Sequence, residues 1–113
     1  MDHKTVEDYI LSFEGAKLDY PFGKEVAVYR IDDPTTGSAP DKMFALIQEG
    51  TNPVSLSLKC DPQLAVVLRE RYDTVMGGYH LNKKHWNTIL LTGQLTWPQV
   101  QDLIRHSYIL VKG

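Results

Sequence analysis

Cysteine is almost missing from this chain: Cys60 stands alone among 113 residues. One thiol excludes an intrachain disulfide and any cysteine-rich zinc site. Long apolar runs are missing too, and nothing approaches the ~20 residues that a membrane-crossing helix needs. The first fourteen residues carry too many charges for the continuous apolar segment of a secretory leader. Neither charge sign dominates. The net charge is −2, whereas a protein that coats DNA is usually strongly basic, so only a local basic patch would suit a nucleic-acid partner. Repeats and low-complexity stretches are absent. These absences predict one domain over residues 1–113, monomeric and cytoplasmic, away from membranes and with no cofactor or metal.

What is present is ordinary for a globular protein: 42% apolar and 23% charged residues. A chain of this length buries roughly two-thirds of its unfolded surface without covalent staples. Val6, Tyr9, Ile10 and Phe13 fall at helical spacing, with Asp2 or Thr5 to cap the start and Gly15 to stop it. Tyr20-Pro21-Phe22-Gly23 reads as a turn. Val26 to Ile31 and Met43 to Gln48 read as strands, joined by a long mobile loop from Asp32 to Asp41. Gly50 to Pro53 is a turn.

The next strand is the clearest. Val54, Leu56, Leu58 and Cys60 share one face, and Ser55, Ser57 and Lys59 the other, so one sheet face is buried and the other wet. Asp61-Pro62 begins a second helix whose apolar stripe is Leu64, Ala65, Leu68 and Tyr72. Trp86 to Thr92 reads as a fourth strand. Thr96 and Gln99 form a capping box for a last helix, with Val100, Leu103, Ile104, Ser107, Tyr108 and Val111 facing the core. The predicted order is helix, three strands, helix, strand, helix. Singly striped helices on a one-faced sheet imply a two-layer α+β sandwich: a mostly antiparallel sheet, helices on one face, the other face open.

Catalytic apparatus is hard to find. Ser55 and Ser57 lie mid-strand outside any nucleophile elbow. Gly77-Gly78 is too short for a phosphate-binding glycine loop. Cys60 shares parity with core residues and reads as a small buried hydrophobe. His80 and His85 are five apart, which suits no helical metal pair, and His3 and His106 lie elsewhere; zinc needs three or four converging ligands. Glu7, Asp8 and Glu14 read as the wet side of the first helix. The chain therefore reads as a binding protein and not an enzyme.

The most unusual segment is Gly77 to Thr88, which interleaves Tyr79, His80, Asn82, Lys83, Lys84, His85, Trp86 and Asn87. Lysine neutralises phosphate, asparagine bonds bases or phosphate, and aromatic faces stack on bases. The plainer reading makes Trp86 core, Tyr79 a loop prop and the lysines solvated.

Three stretches carry a family resemblance: Tyr20-Pro21-Phe22-Gly23, Val54 to Pro62, and above all Gly78 to Thr88 with its His-Leu-Asn-Lys-x-His-Trp pattern. With them, nearly the whole chain resembles the MmcQ/YjbR family of small bacterial proteins. That resemblance implies a frataxin/CyaY-like, double-wing fold and carries the family's predicted DNA-binding label. The leading expectation is DNA or other nucleic-acid binding, with Arg30, Lys59, Lys83 and Lys84 on phosphate and Tyr79 or Trp86 stacking. His80, Asn82, His85 and Asn87 complete the candidate site. The alternative is a small-ligand or protein-partner module using the open sheet face. A frataxin-like metal role for the acidic helix face ranks lower. A continuous basic stripe would favour the first, and a concave pocket of mixed polarity the second.

Overall fold

The structure, a computed structural model, describes residues 1–32, 42–78 and 81–113. The expected mobile loop between Asp32 and Asp41 lies outside the described residues from position 33 onward. In chain order the elements are α1 (His3–Leu11), β1 (Ala16–Asp19), β2 (Val26–Ile31), β3 (Met43–Gln48), β4 (Ser55–Lys59), α2 (Pro62–Arg71), β5 (Val75–Gly77), β6 (Trp86–Leu90) and α3 (Trp97–Lys112). The strands form one sheet in the order β1-β2-β3-β4-β6-β5, with every neighbouring pair antiparallel. All three helices pack on one side, α3 over β3 and β4, α2 over β5 and β6, α1 beside β1. This is the predicted two-layer α+β sandwich. No helix among the described residues is long and apolar enough to cross a membrane.

Local chemistry explains the helix starts. The Asp2 carboxylate accepts from the Thr5 amide, Asp61 accepts from the amides of Gln63 and Leu64, and Thr96 and Gln99 close their reciprocal box. Each satisfies amide donors that a first helical turn leaves open. The first helix ends at Leu11, short of the predicted stop at Gly15. Gly15 instead leads into β1 with φ 79°, and a β-carbon there would lie 2.8 Å from the Asp32 carbonyl oxygen. Its own carbonyl accepts from the Asp32 amide at 2.8 Å.

The predicted alternation of β4 is found. Leu56, Leu58 and Cys60 are buried, while Ser55, Ser57 and Lys59 remain partly accessible. Leu56, Leu58 and Ile89 of the neighbouring β6 join Val6, Ile10, Tyr29, Phe44 and Ile104 in the main core between sheet and helices.

Two strands escape the sequence reading. β1 has three exposed residues out of four and is held by its ladder to β2. β5 is three residues long and is held by its ladder to β6. Neither has a composition or length that marks a strand by itself.

A bulge in β3 also has no sequence signature. Tyr29 pairs with Ala45 and Arg30 with Met43, so Phe44 is the extra residue. Phe44 and Ala45 consequently both enter the main core. The Ser107 hydroxyl of α3 donates to the Phe44 carbonyl at 2.5 Å and accepts from the Lys59 amide at 3.0 Å. One buried serine thus locks the longest helix to the bulge and to the end of β4. We expect Leu56→Ala to lower stability by about 2–5 kcal/mol through the cavity it leaves. Ser107→Ala should cost about 1–3 kcal/mol by stranding two buried backbone groups. Denaturant midpoints check both.

Burial, and behind it the Asp61 carboxylate, push the Cys60 thiol from 9.0 up to about 11, against an opposing pull from Arg69. Between those values the folded chain holds a proton that the unfolded chain has released. Stability should therefore fall as pH rises from 9 to 11 and be insensitive to this group below 9. Urea titrations across that range, with Cys60→Ala as the control that removes the dependence, measure the effect.

Candidate functional site

The uncovered face of the sheet is organised by cross-strand rows. Val28, Leu46, Ser57, Thr88 and Met76 stand side by side across five strands, and Val26, Gln48, Ser55 and Leu90 form the next row. Most of these side chains, with Phe22 and Glu25 from the β1–β2 turn and Leu81 from the β5–β6 connection, line a concavity of about 670 Å³. Its middle is hydroxylic: Ser57 Oγ and Thr88 Oγ1 are 2.8 Å apart. Around that pair the lining is mostly apolar, with Gln48 and Ser55 as further uncharged polar groups, and Glu25 is the one charged residue in it among the described residues. Phe22 stands 64% exposed at the rim.

The third row closes one end of the face. Arg30 pairs with Met43, and Lys59 pairs with Trp86. Trp86 is buried, which agrees with its core reading and not with a stacking platform, and it lies on the side opposite the helices. It packs with Val28 and Leu46, and with the partly buried Val26, Met43 and Leu81. This small second core bridges β4, where Ser57 takes up little room in the register. Lys59 Nζ lies 6.0 Å from the indole centroid. Arg30 is largely covered; its Nη2 is 3.9 Å from Asp19 Oδ2, and its buried Nε has no hydrogen-bond partner among the described residues.

The basic and aromatic segment turns out to be a folding device where it is described. Asn82 Oδ1 accepts from the Lys84 amide at 2.9 Å, and the Asn82 carbonyl accepts from the amides of His85 and Trp86. This side chain-capped turn delivers Trp86 into β6. The His85 carbonyl accepts from the Cys60 amide at 2.8 Å, extending the ladder to β4. Gly78 donates to the Trp86 carbonyl at 2.9 Å, and a β-carbon at Gly78 would meet Trp86 Cβ at 2.7 Å and Leu81 Cβ at 3.0 Å.

Several candidate residues do not gather as a nucleic-acid site would need. Asn87 was expected on an accessible face; it is 2% exposed and donates from Nδ2 to the Ala65 carbonyl of α2 at 3.2 Å. The reason is register, since Asn87 pairs with Leu58 and shares its helix-facing side. Lys83 Nζ donates to the Gly78 carbonyl, and its aliphatic stem lies against Gly77 beside Arg69, on the α2 side of the sheet. Arg69 in turn donates to the Lys83 carbonyl. Lys84 is exposed. Arg30 and Lys59 belong to the open face. The four cations thus divide between different sides. Tyr79 and His80 lie outside the described residues.

The acidic face of α1 is less solvated than expected, because Glu7 accepts from the buried Tyr29 hydroxyl at 2.5 Å. Among the described residues no three His, Cys, Asp or Glu side chains come together as metal ligands. The groove residues that sequence reading missed are Phe22, Glu25, Val26, Leu46, Gln48, Met76, Leu81 and Leu90. Strand parity was the available signal, but the loop residues and the order of the strands were needed to unite them.

A model described as YjbR matches residues 11–110. The chain is 31% identical over 109 residues to the uncharacterised protein YbdF of Escherichia coli O157:H7, covering 96% of this chain and 83% of that one. It is 37% identical over 86 residues to the uncharacterised protein YjbR of Escherichia coli K12, covering 76% and 73%. Among solved structures it is similar to the Deinococcus radiodurans protein DR2400, a DUF419 domain, with TM-score 0.87 and 32% identity over 96% of this chain and 77% of that one. A crystal structure of a Pseudomonas syringae protein gives TM-score 0.79 and 32% identity, covering 98% and 99%.

Two substitutions test the second core. Trp86→Ala should cost about 3–5 kcal/mol, the price of emptying a large aromatic site. Gly78→Ala should cost about 1–3 kcal/mol by overpacking against Trp86 and Leu81. Denaturant unfolding followed by circular dichroism reads both; a near wild-type midpoint for Trp86→Ala would mean that the indole is not core.

Proposed function

The chain belongs to the YjbR family, and from the groove on its open sheet face we propose that it is a non-catalytic, monomeric module that binds a small, largely apolar ligand. The observation that carries this reading is the concavity of about 670 Å³. That volume suits a ligand of ordinary metabolite size, and apolar walls around a few placed polar groups are the usual build of such sites. The partly accessible Ser57 hydroxyl, held by the buried Thr88 hydroxyl behind it, would orient the ligand, and Phe22 and Leu81 would close over it from opposite rims.

Nucleic acid is the weaker reading. Its phosphate contacts would fall to Arg30, Lys59 and Lys84, because Lys83 is engaged on the α2 side. Arg30 is already largely buried beside Asp19. Among the described residues the groove lining offers no lysine or arginine, and strand-tracking surfaces depend on such residues.

The test is a binding screen read by amide chemical shifts. Ligands of mixed polarity should perturb Leu46, Ser57, Thr88 and Leu90 together. Ser57→Trp, which fills the groove, should weaken any hit by at least roughly tenfold, or about 1.4 kcal/mol. In a parallel low-salt titration, single- and double-stranded DNA and RNA should bind no more tightly than the ~10⁻⁴–10⁻⁶ M typical of non-specific contact. Tight, salt-sensitive oligonucleotide binding that Lys59→Ala weakens, with an unresponsive groove, would reverse the ranking.

A further inference from the structure

The described lining of the groove carries charge at one corner only, and that charge is acidic. Among the described residues Glu25 is the only charged one in its lining. It sits at the corner where the β1–β2 turn meets Val26, together with the exposed ring of Phe22. Lys24, next to Glu25 in the chain, is absent from the lining, and so are Arg30 and Lys59. Those last two stand in the row occupied by Trp86, separated from the Glu25 corner by two further rows of the sheet. Gln48 and Ser55 continue the second row from that corner toward the middle of the groove.

A carboxylate and an aromatic face at one corner recognise a particular chemistry. The carboxylate attracts a cation, and the negative face of a phenyl ring attracts the same cation again. A carboxylate-bearing ligand would place its charge against Glu25 with no cation among the described lining residues to offset it. Beyond that corner Val26, Leu46 and Leu90 supply apolar wall, and the remaining polarity of the described lining is uncharged: the Gln48 carboxamide and the hydroxyls of Ser55, Ser57 and Thr88.

We infer that the groove selects a small organic amine: an apolar, preferably flat body laid over Leu46 and Leu90, with its ammonium directed to Glu25 and Phe22. This inference rests on the small-ligand reading of the groove and adds the sign of the ligand's charge. No bond is made or broken. The selectivity is a difference in binding between ligands of the same shape and different charge.

Three probes of nearly equal size and shape isolate that difference: 1-naphthylmethylammonium, 1-naphthalenemethanol and 1-naphthoate. Titrated into the intact chain at low salt and followed by amide shifts of Leu46 and Thr88, they should bind in that order. The ammonium should exceed the alcohol by about fivefold, the scale of one partly exposed ion pair with a cation–π contact. Glu25→Gln should bring the ammonium down to the affinity of the alcohol and leave the alcohol unchanged. Glu25→Lys should make the naphthoate the best of the three. Glu70→Gln, on the exposed side of α2, should change nothing. Raising the salt should shrink the preference without touching the alcohol.

Equal binding of all three probes, or a preference for naphthoate in the unaltered chain, overturns the charge inference and leaves the groove reading standing. Failure of every probe to bind overturns both. An ammonium preference that survives Glu25→Gln and follows Phe22→Ala would also overturn the assignment to Glu25, since the ring alone would then carry it.

Discussion

A sheet has two faces, and the three helices of this chain cover only one. The rest of the structure depends on how the apolar side chains of the other face are handled. Alternation along β4 keeps its own contribution polar, with Ser55, Ser57 and Lys59 outward. The neighbouring strands are less accommodating: Val26, Val28, Leu46 and Leu90 all face the uncovered side. At one end the problem is solved by Trp86, whose indole forms a second small core with Val28 and Leu46. At the other end no such cover exists among the described residues, and the groove remains. The same shortage of covering structure therefore produces a packed tryptophan and an open groove on one face.

This division explains why the basic, aromatic segment that dominates the sequence does not dominate the open surface. Its described residues spend their hydrogen bonds on themselves. Asn82 builds the turn, Gly78 makes room for Trp86, and Lys83 folds back on the Gly78 carbonyl. A turn that must place a large indole with the correct strand parity tolerates little variation, because a one-residue slip would send Trp86 to the helix side. Residues chosen for that task resemble nucleic-acid ligands in composition, since asparagine, lysine and aromatic rings serve both ends.

The layers of the fold were legible in the sequence because they rest on local rules. Alternation over Val54 to Cys60 set the two faces, and Asp61-Pro62 and the Thr96–Gln99 pair marked two helix starts by amide satisfaction alone. What escaped depends on partners distant in the chain. Ala16–Asp19 and Val75–Gly77 are strands through the ladders that β2 and β6 lend them. Phe44 enters the core through a bulge whose freed carbonyl is met by Ser107, 63 residues away. Asn87 looked like a surface ligand because its parity was known but the side facing the helices was not. The groove was the least legible of all. Phe22, Leu46, Leu81 and Leu90 are unremarkable where they stand in the chain and become neighbours only through the order β2-β3-β4-β6-β5.

The groove's floor and walls differ in how they are held, and that difference bears on recognition. The floor belongs to a continuous antiparallel ladder, in which each residue is fixed by neighbours on both sides. The Ser57 hydroxyl is thus held at a set position by Thr88, and in the proposed reading it would favour ligands whose polar group matches it. Phe22 and Leu81 come from connections, where backbone freedom is greater. A rigid polar centre between adaptable apolar walls discriminates by the position of a hydrogen-bonding group more than by the outline of the ligand. Glu25, carried on the same turn as Phe22, would move with that wall, so closing the ring over a ligand would bring the carboxylate to it as well. The turn Tyr20-Pro21-Phe22-Gly23 is in this way more than a link between two strands. With Gly23 at φ 101°, it sets the direction in which both Phe22 and Glu25 approach the sheet.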